Sequence, residues 1–121
     1  MSKRILVIED TEDNRQIMRD VLGSVGFETI EAVDGAQGVE AALREVPDLI
    51  LMDIQLPVFD GYEATRRIKA DDKTRHIPII AVTSYALSGD EDKARAAGCD
   101  DYLAKPFSPR QLLAMVRARL G

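Results

Sequence analysis

Five short apolar runs, separated by segments of helical periodicity, constrain the fold of this chain more than any other feature of its sequence. In the middle run, four consecutive apolar residues lead directly into Asp53. Such a run is typical of a strand buried on both faces of a sheet. The predicted strands are RILVI (4–8), FETIEAV (27–33), DLILM (48–52), IPIIAV (77–82) and DYLA (101–104).

Apolar stripes with helical spacing lie between these runs, and they predict helices. The stripes are Ile17, Met18, Val21, Leu22 and Val25, ended by Gly26; Val39, Leu43 and Val46; and Leu112, Leu113, Val116 and Leu120. SGDE (88–91) and SPRQ (108–111) match the capping box, the second with Pro at the first helical position. A helix near 62–69 has the weakest pattern, and KADDKTRH (69–76) is predicted to be a solvated loop.

Alternating strands and helices predict an α/β fold, a doubly wound parallel sheet of five strands with helices on both faces. The 121 residues are 45% apolar and 31% charged, which is ordinary for a globular protein, and we expect one domain over 1–121. The net charge of −5 argues against a nucleic-acid surface, which needs clustered Lys and Arg. There is no membrane-length apolar run, no signal peptide and only one Cys, so we expect a cytoplasmic location and no membrane contact.

Polar residues follow the predicted strands at the points where the strands end. They are Glu9 and Asp10, Asp53, Thr83 and Lys105. The carboxyl ends of parallel strands line the crevice where α/β sheets bind ligands, and three carboxylates converge there if the strand order is 2-1-3-4-5. Each like-charge pair would cost about 4 kcal/mol at ~4 Å and an effective dielectric of ~20. We therefore expect a cation, with Mg²⁺ favoured by hard oxygen ligands, and a raised pKa for at least one carboxylate.

The segments VIED, LILMDIQLPVFDG, IIAVTS and YLAKPF, in this order, resemble the receiver domain of two-component response regulators. The resemblance runs from residue 4 to the end of the chain. Within the family, the segment from His76 to Ser108 is similar to stand-alone receivers of the DivK kind and to receivers of hybrid histidine kinases. The resemblance implies a flavodoxin-like fold with the strand order 2-1-3-4-5.

The resemblance also implies a role for each site residue. Asp53 would accept a phosphoryl group from a phosphohistidine on a histidine kinase or a histidine phosphotransfer protein. Asp10, Asp53 and the backbone carbonyl of Gln55 would bind Mg²⁺ directly, and Glu9 would contribute through water. Lys105 and Thr83 would contact the phosphoryl oxygens.

Further residues would transmit or tune the signal in the resembled family. Tyr102 would be the aromatic switch residue, and Lys105–Pro106 a cis peptide. Gln55 and Tyr85 would flank the phosphoryl group and set its lifetime. Phosphorylation would change the surface formed by helix four, strand five and helix five, which would pass the signal to a downstream protein.

Three other functions are alternatives to a phosphorylatable receiver. A Mg²⁺-dependent aspartyl phosphatase would need a second carboxylate two residues after the nucleophile, where this chain has Gln55. A nucleotide or flavin binder would need a glycine-rich phosphate loop, and neither G-x-x-x-x-G-K nor G-x-G-x-x-G occurs. A pseudo-receiver that binds partners without phosphorylation is disfavoured by the full set of site residues, and the sequence favours a phosphorylatable switch.

Overall fold

The central sheet has the predicted strand order. The computed structural model describes residues 2–84 and 90–120. The strands are β1 Arg4–Ile8, β2 Glu28–Ala32, β3 Leu49–Asp53, β4 Ile79–Thr83 and β5 Asp101–Ala104. They pair in parallel in the order β2-β1-β3-β4-β5. The sequence prediction of a doubly wound parallel sheet is therefore confirmed.

Five helices cover the sheet within the described part of the chain. They are α1 Glu12–Gly23, α2 Gly35–Glu45, α3 Gly61–Ala70, α4 Asp90–Ala97 and α5 Pro109–Leu120. Two hydrophobic cores result, one on each face: Ile50 and Met52 of β3 belong to one, and Leu49 and Leu51 to the other. None of the described helices has the length and apolarity that a membrane crossing requires.

Helix capping agrees with the sequence where it can be compared. The amide of Ser108 donates to Gln111 Oε1 at 2.8 Å, and the Gln111 amide donates to Ser108 Oγ at 3.1 Å, which completes the predicted capping box. Asp34 and Asp60 cap α2 and α3 through their side chains. The other predicted capping box begins at residues 88 and 89, which lie outside the described residues.

Two sequence predictions about burial were wrong in part. The most deeply buried positions of α2 are small residues, Gly38, Ala41 and Ala42, whereas Val39 is only half-buried. A Cβ at Gly38 would lie 2.6 Å from Cδ1 of Ile8, so larger side chains do not fit there. Val46 is 38% exposed at the left-handed C-cap of the helix.

The other differences from the predicted burial and helix bounds occur in and after α1 and α3. Ile17 of the α1 stripe is 54% exposed, and Val25 lies beyond the end of the helix. Residues 69–76 were predicted to be a solvated loop, but Lys69 and Ala70 belong to α3 and Thr74 is fully buried. The hydroxyl of Thr74 donates to the carbonyl of Ile68 at 2.6 Å, which satisfies the buried polar group.

Candidate functional site

The predicted site residues meet at the carboxyl end of the sheet. Asp53 is the last residue of β3, and Glu9 and Asp10 follow β1, which pairs with β3. Carboxylate oxygens of Glu9, Asp10 and Asp53 all lie within 4.8 Å of one another. The fold therefore brings the three acidic side chains together, as the strand order predicts.

Lys105 joins this cluster from the segment after β5. Its Nζ lies 2.7 Å from Oε1 of Glu9 and 3.6 Å from Oδ2 of Asp53. The peptide bond between Lys105 and Pro106 is cis, as expected. One cation thus offsets the charge of two buried carboxylates, and its shorter contact is with Glu9.

The side chain of Glu9 is almost entirely buried, with 1% exposed, and both of its carboxylate oxygens accept hydrogen bonds. Oε1 accepts a hydrogen bond from Lys105, and Oε2 accepts one from the Thr11 amide at 3.1 Å. Burial acts to raise the pKa of Glu9, but Lys105 and the Thr11 amide outweigh it and hold the pKa below the ordinary value. Glu9 is therefore a fixed anion at the base of the crevice.

Asp53 has the opposite electrostatic character. It is 5% exposed, and the Gln55 amide donates to its Oδ1 at 3.0 Å. Burial, together with the nearby charge of Glu9, raises the pKa of Asp53 to about 6. The side chain of Asp10 is exposed, and desolvation and its contact with Glu9 also raise its pKa. The expected raised pKa therefore occurs at Asp53 and Asp10, and not at Glu9.

The loop between β3 and α3 is shaped by close backbone contacts. The Gly61 amide donates to the Ile54 carbonyl at 2.8 Å, and a Cβ at Gly61 would lie only 2.3 Å from the carbonyl oxygen of Asp53. A glycine is therefore required behind the acidic residue. The sequence predicts that Gly61, with Pro57, shapes the loop that leaves Asp53, and this contact gives the physical reason for the glycine.

Phe59 connects the same loop to neighbouring elements, and the sequence predicts no role for this residue. The guanidinium of Arg67 lies 4.0 Å from the centre of the Phe59 ring. Gly35 lies so close to the backbone of Phe59 that a Cβ on Gly35 would be 2.3 Å from the carbonyl oxygen of Phe59. Gly35 begins α2 and Arg67 lies in α3, so these contacts depend on how the helices pack around the loop and not on a sequence pattern.

Thr83 and Tyr102 occupy the predicted strand positions. Thr83 ends β4 and is 2% exposed, next to the strand that carries Asp53. Tyr102 is half-buried on β5 and packs against the core on the side of α3 and α4. Burial and the charges of Asp90 and Glu91 raise the pKa of its hydroxyl. Gln55 is exposed beside Asp53, and Tyr85 lies outside the described residues.

Arg15 contacts the site from α1, and no sequence pattern had pointed to it. Its Nη1 donates to the backbone carbonyl of Glu9 at 2.8 Å. The side chain is only 11% exposed, which is unusually low for an arginine, although Arg15 lies in the first turn of α1. A periodicity argument cannot find this contact because it depends on how the arginine folds back over the end of β1.

The donor set fits a magnesium ion. Three carboxylates supply hard oxygen ligands, and no His or Cys accompanies them in the cluster. Asp10 is exposed, so an ion held there could keep several of its waters, as Mg²⁺ prefers. Burial is the main cause of the raised pKa of Asp53, and an ion would relieve the repulsion from Glu9 that adds to it.

Comparison with known proteins agrees with this geometry. The chain is 43% identical over its whole length to the polar-differentiation response regulator DivK of Brucella anthropi, of which it covers 98%. Its fold matches the receiver domain of a sensor histidine kinase from Pseudomonas aeruginosa, with a TM-score of 0.93, 42% identity and coverage of 100% of this chain and 99% of that one. That structure has a magnesium ion coordinated in its active-site cleft.

A more distant structure shows the same architecture. The chemotaxis protein CheY4 of Vibrio cholerae matches with a TM-score of 0.92 at 25% identity, over 98% of this chain and 99% of that one. The sequence pattern of the response regulator receiver domain matches residues 5–117. With its parallel sheet, its acidic cluster and these matches, the chain belongs to the response regulator receiver domain family of two-component signalling proteins.

Proposed function

We propose that this chain is a stand-alone response regulator in which residues 1–121 form one receiver domain that is phosphorylated on Asp53. The observation that carries the proposal is the position of Asp53. It ends a fully buried strand, with Glu9 and Asp10 oxygens within 4.8 Å and Lys105 Nζ at 3.6 Å. The similarity to a DivK response regulator over all 121 residues supports the receiver-domain assignment, and we propose a cytoplasmic location.

Asp10 and Asp53 would hold Mg²⁺ directly, together with the backbone carbonyl of Gln55, and Glu9 would act through a water molecule. Bound there, the ion would neutralise negative charge on the phosphoryl oxygens and on the carboxylates. With its pKa raised to about 6, Asp53 is still mostly ionised at neutral pH. A Mg²⁺ ion bound beside it would lower this pKa, so Asp53 would react as the carboxylate anion.

The chemical step is a phosphoryl transfer from a phosphohistidine. A carboxylate oxygen of Asp53 forms the new O–P bond while the P–N bond to the donor imidazole breaks. The electron pair of that bond stays on the imidazole nitrogen, and a proton already carried by the other ring nitrogen of the donor makes the leaving group a neutral histidine. Lys105 stabilises the charge on the phosphoryl oxygens, and the hydroxyl of Thr83 donates a hydrogen bond to them.

The switch follows from the new charge. A phosphoryl group adds roughly −1.5 to −2 charge and three acceptor oxygens at the crevice. Thr83 and Lys105 move toward it, Tyr102 turns inward, and the face formed by α4, β5 and α5 changes its fit to a downstream protein. A swing from 1:99 to 99:1 needs about 5.5 kcal/mol, and two or three charge-assisted contacts of about 1.5–3 kcal/mol each can supply it.

The phosphodonor is proposed to be a histidine kinase or a histidine phosphotransfer protein. A groove of about 400 Å³ lies beside the crevice between α1 and the segment after β5, with Ile17, Met18 and Phe107 among its lining residues. Lys105 forms part of the same lining. A donor protein that rests on this groove would present its phosphohistidine next to Asp53.

The test is phosphorylation with Mg²⁺ and acetyl phosphate, followed by intact-mass measurement. The parent should gain one phosphoryl group, and Asp53→Asn should gain none. Asp60→Asn is the matched control, since Asp60 is an exposed aspartate in the same loop and asparagine also caps helices well. Labelling of Asp53→Asn at the parent rate would overturn the proposal, and labelling of neither parent nor control would favour a pseudo-receiver.

A further inference from the structure

Arg15 belongs to a closed ring of ion pairs on the surface of α1 and β2. The ring contains two arginines, Arg15 and Arg19, and two carboxylates, Glu12 and Glu31. Each carboxylate directs one oxygen to each arginine: Arg15 lies 2.6 Å from Glu12 and 3.2 Å from Glu31. Arg19 lies 3.4 Å and 2.7 Å from the same two residues.

The two arginines differ in one contact. Nη1 of Arg15 donates to the backbone carbonyl of Glu9 at 2.8 Å, and Arg19 makes no such contact in the described structure. The exposed fraction of the side chain is 11% for Arg15 and 39% for Arg19. The Arg15 guanidinium is therefore held by the ring on its outer side and donates to the site on its inner side.

The carbonyl of Glu9 is a sensitive point for the site. It belongs to the peptide group that joins Glu9 to Asp10, so its direction sets how both side chains leave the backbone. The amide of Glu9 donates to Ala32 at 3.0 Å, which fixes the other side of the residue to β2. With Arg15 on the carbonyl, the main chain of Glu9 is fixed from both sides at the end of β1.

We propose that Arg15 is a positioning residue of the magnesium site: it fixes the Glu9–Asp10 peptide so that both carboxylates point into the crevice, and its own ion pairs with Glu12 and Glu31 hold it in place. This inference rests on the proposed function, because it assigns the acidic cluster to Mg²⁺. Groups outside the ligand shell that orient the ligands commonly change metal affinity about 10- to 100-fold.

Charge and position predict opposite effects, which makes the inference testable. Replacing Arg15 removes a positive charge near the site, and by Coulomb's law alone this tightens the binding of a cation. Loss of the Glu9 contact loosens the ligands and weakens binding. Arg19→Met is the matched control. Arg19 carries the same charge as Arg15 and pairs with the same two carboxylates, but it does not contact Glu9 in the described structure.

The experiment is calorimetric titration of the parent, Arg15→Met and Arg19→Met with Mg²⁺. We expect Arg15→Met to weaken binding about tenfold and Arg19→Met to change it less than about twofold. In amide NMR spectra recorded with chelator, the Asp10 and Thr11 signals should shift in Arg15→Met and not in Arg19→Met. Equal Mg²⁺ affinity in the two variants, or tighter binding in Arg15→Met, would overturn the inference.

Two further measurements separate the possible failures. If Arg15→Met does not fold, Arg15→Lys and Arg19→Lys carry the same comparison, since a single ammonium cannot reach the carbonyl and both carboxylates together. Thus Arg15→Lys should bind Mg²⁺ more weakly than Arg19→Lys. Failure of the parent itself to bind Mg²⁺ or to be labelled on Asp53 would refute the proposed function. If the parent does both, a negative result with the variants refutes only the role proposed for Arg15.

Discussion

The ammonium of Lys105 is 2.7 Å from Oε1 of Glu9 and 3.6 Å from Oδ2 of Asp53, so its shorter contact is with the carboxylate that is not the proposed phosphoacceptor. Glu9 is buried and keeps its charge with the help of this contact. Lys105 therefore supports the charge of Glu9 before any phosphoryl group arrives. An incoming phosphoryl group would compete with Glu9 for the same ammonium.

Replacing Lys105 with Met should lower the free energy of unfolding by about 1–3 kcal/mol at pH 7, because it leaves the Glu9 carboxylate buried without its cation. Mg²⁺ affinity should rise, since a competing cation is removed. The measurements are urea unfolding with chelator and titration with Mg²⁺. Lys73→Met, at an exposed lysine, is the control and should stay within about 0.5 kcal/mol of the parent. Equal stability of the two variants would contradict this role for Lys105.

The raised pKa of Asp53 predicts how stability depends on pH. A group whose folded pKa is raised adds stability below its unfolded pKa and loses it as the pH rises through the folded value. For Asp53 that window runs from 3.8 to about 6. With chelator, Asp53→Asn should therefore unfold at a higher temperature than the parent at pH 7.

The advantage of Asp53→Asn should shrink toward pH 4.5, and at pH 7 it corresponds to at most about 3 kcal/mol, since the pKa of Asp53 is raised from 3.8 to about 6. Glu9 has the opposite sign, because its lowered pKa adds stability that is lost as the pH falls. Since Asp53 contributes to that lowered pKa, the difference between parent and variant reports on Asp53 together with its contact to Glu9. A difference in melting temperature that does not change between pH 4.5 and 7 would refute this assignment.

Magnesium should stabilise the parent through mass action. At about ten times its dissociation constant, a ligand that binds only the folded state adds about 1.4 kcal/mol. Asp10→Asn should melt at least as high as the parent with chelator, because a carboxylate with a raised pKa is removed, and should gain less from Mg²⁺. Asp20→Asn, at an exposed aspartate of α1, should gain as much as the parent. An equal Mg²⁺ shift in all three proteins would exclude Asp10 as a ligand.

The architecture and the acidic cluster could both be predicted from the sequence, for one physical reason. Parallel strands bring their carboxyl ends to one edge, and with the strand order 2-1-3-4-5, which the family resemblance implies, the polar residues after the first and third strands converge there. Glu9, Asp10, Asp53 and Lys105 were found in this way, and the structure places them together. Neither periodicity nor strand position predicts which oxygen a flexible lysine contacts, and its preference for Glu9 appears only in the structure.

Other features were missed because they depend on small residues and on loop paths. Hydrophobic periodicity gives little weight to glycine and alanine, yet the buried positions of α2 are Gly35, Gly38, Ala41 and Ala42. Thr74 was assigned to solvent by its charged neighbours, although its hydroxyl finds a buried carbonyl. The contact of Arg15 with Glu9 has no sequence signature either, since it depends on the arginine's rotamer.

The exposed Ile17 should matter for transfer from a protein donor and not for the chemistry at Asp53. Ile17 is 54% exposed and lines the groove beside the crevice. We expect Ile17→Glu to slow phosphotransfer from a phosphorylated histidine phosphotransfer domain roughly fivefold or more, as loss of an interface anchor does. Labelling by acetyl phosphate should be unchanged. Val25→Glu is the control, at an exposed valine outside the groove lining. Equal transfer rates for both variants would exclude the groove as the docking site.

Gly61 should be the most sensitive backbone position near the site. A Cβ there would lie 2.3 Å from the carbonyl oxygen of Asp53 and 2.7 Å from Cα of Ile54, and neither backbone atom can move without shifting the end of β3. Gly61→Ala should destabilise the protein by about 1–3 kcal/mol or more through overpacking. Labelling of Asp53 by acetyl phosphate should slow about 10- to 100-fold, because a displacement of ~1 Å at a reacting group can cost that much.

Gly23→Ala is the matched control for this substitution. Gly23 ends α1, and a Cβ there would meet nothing within 4 Å. Alanine favours helix over glycine by up to ~1 kcal/mol, so this variant should be as stable as the parent or more stable, with unchanged labelling. Urea unfolding and the rate of mass gain with acetyl phosphate measure both effects. If Gly61→Ala matches Gly23→Ala in both, the β3–α3 loop tolerates a side chain there, and the close approach of Gly61 to Asp53 does not position the acceptor.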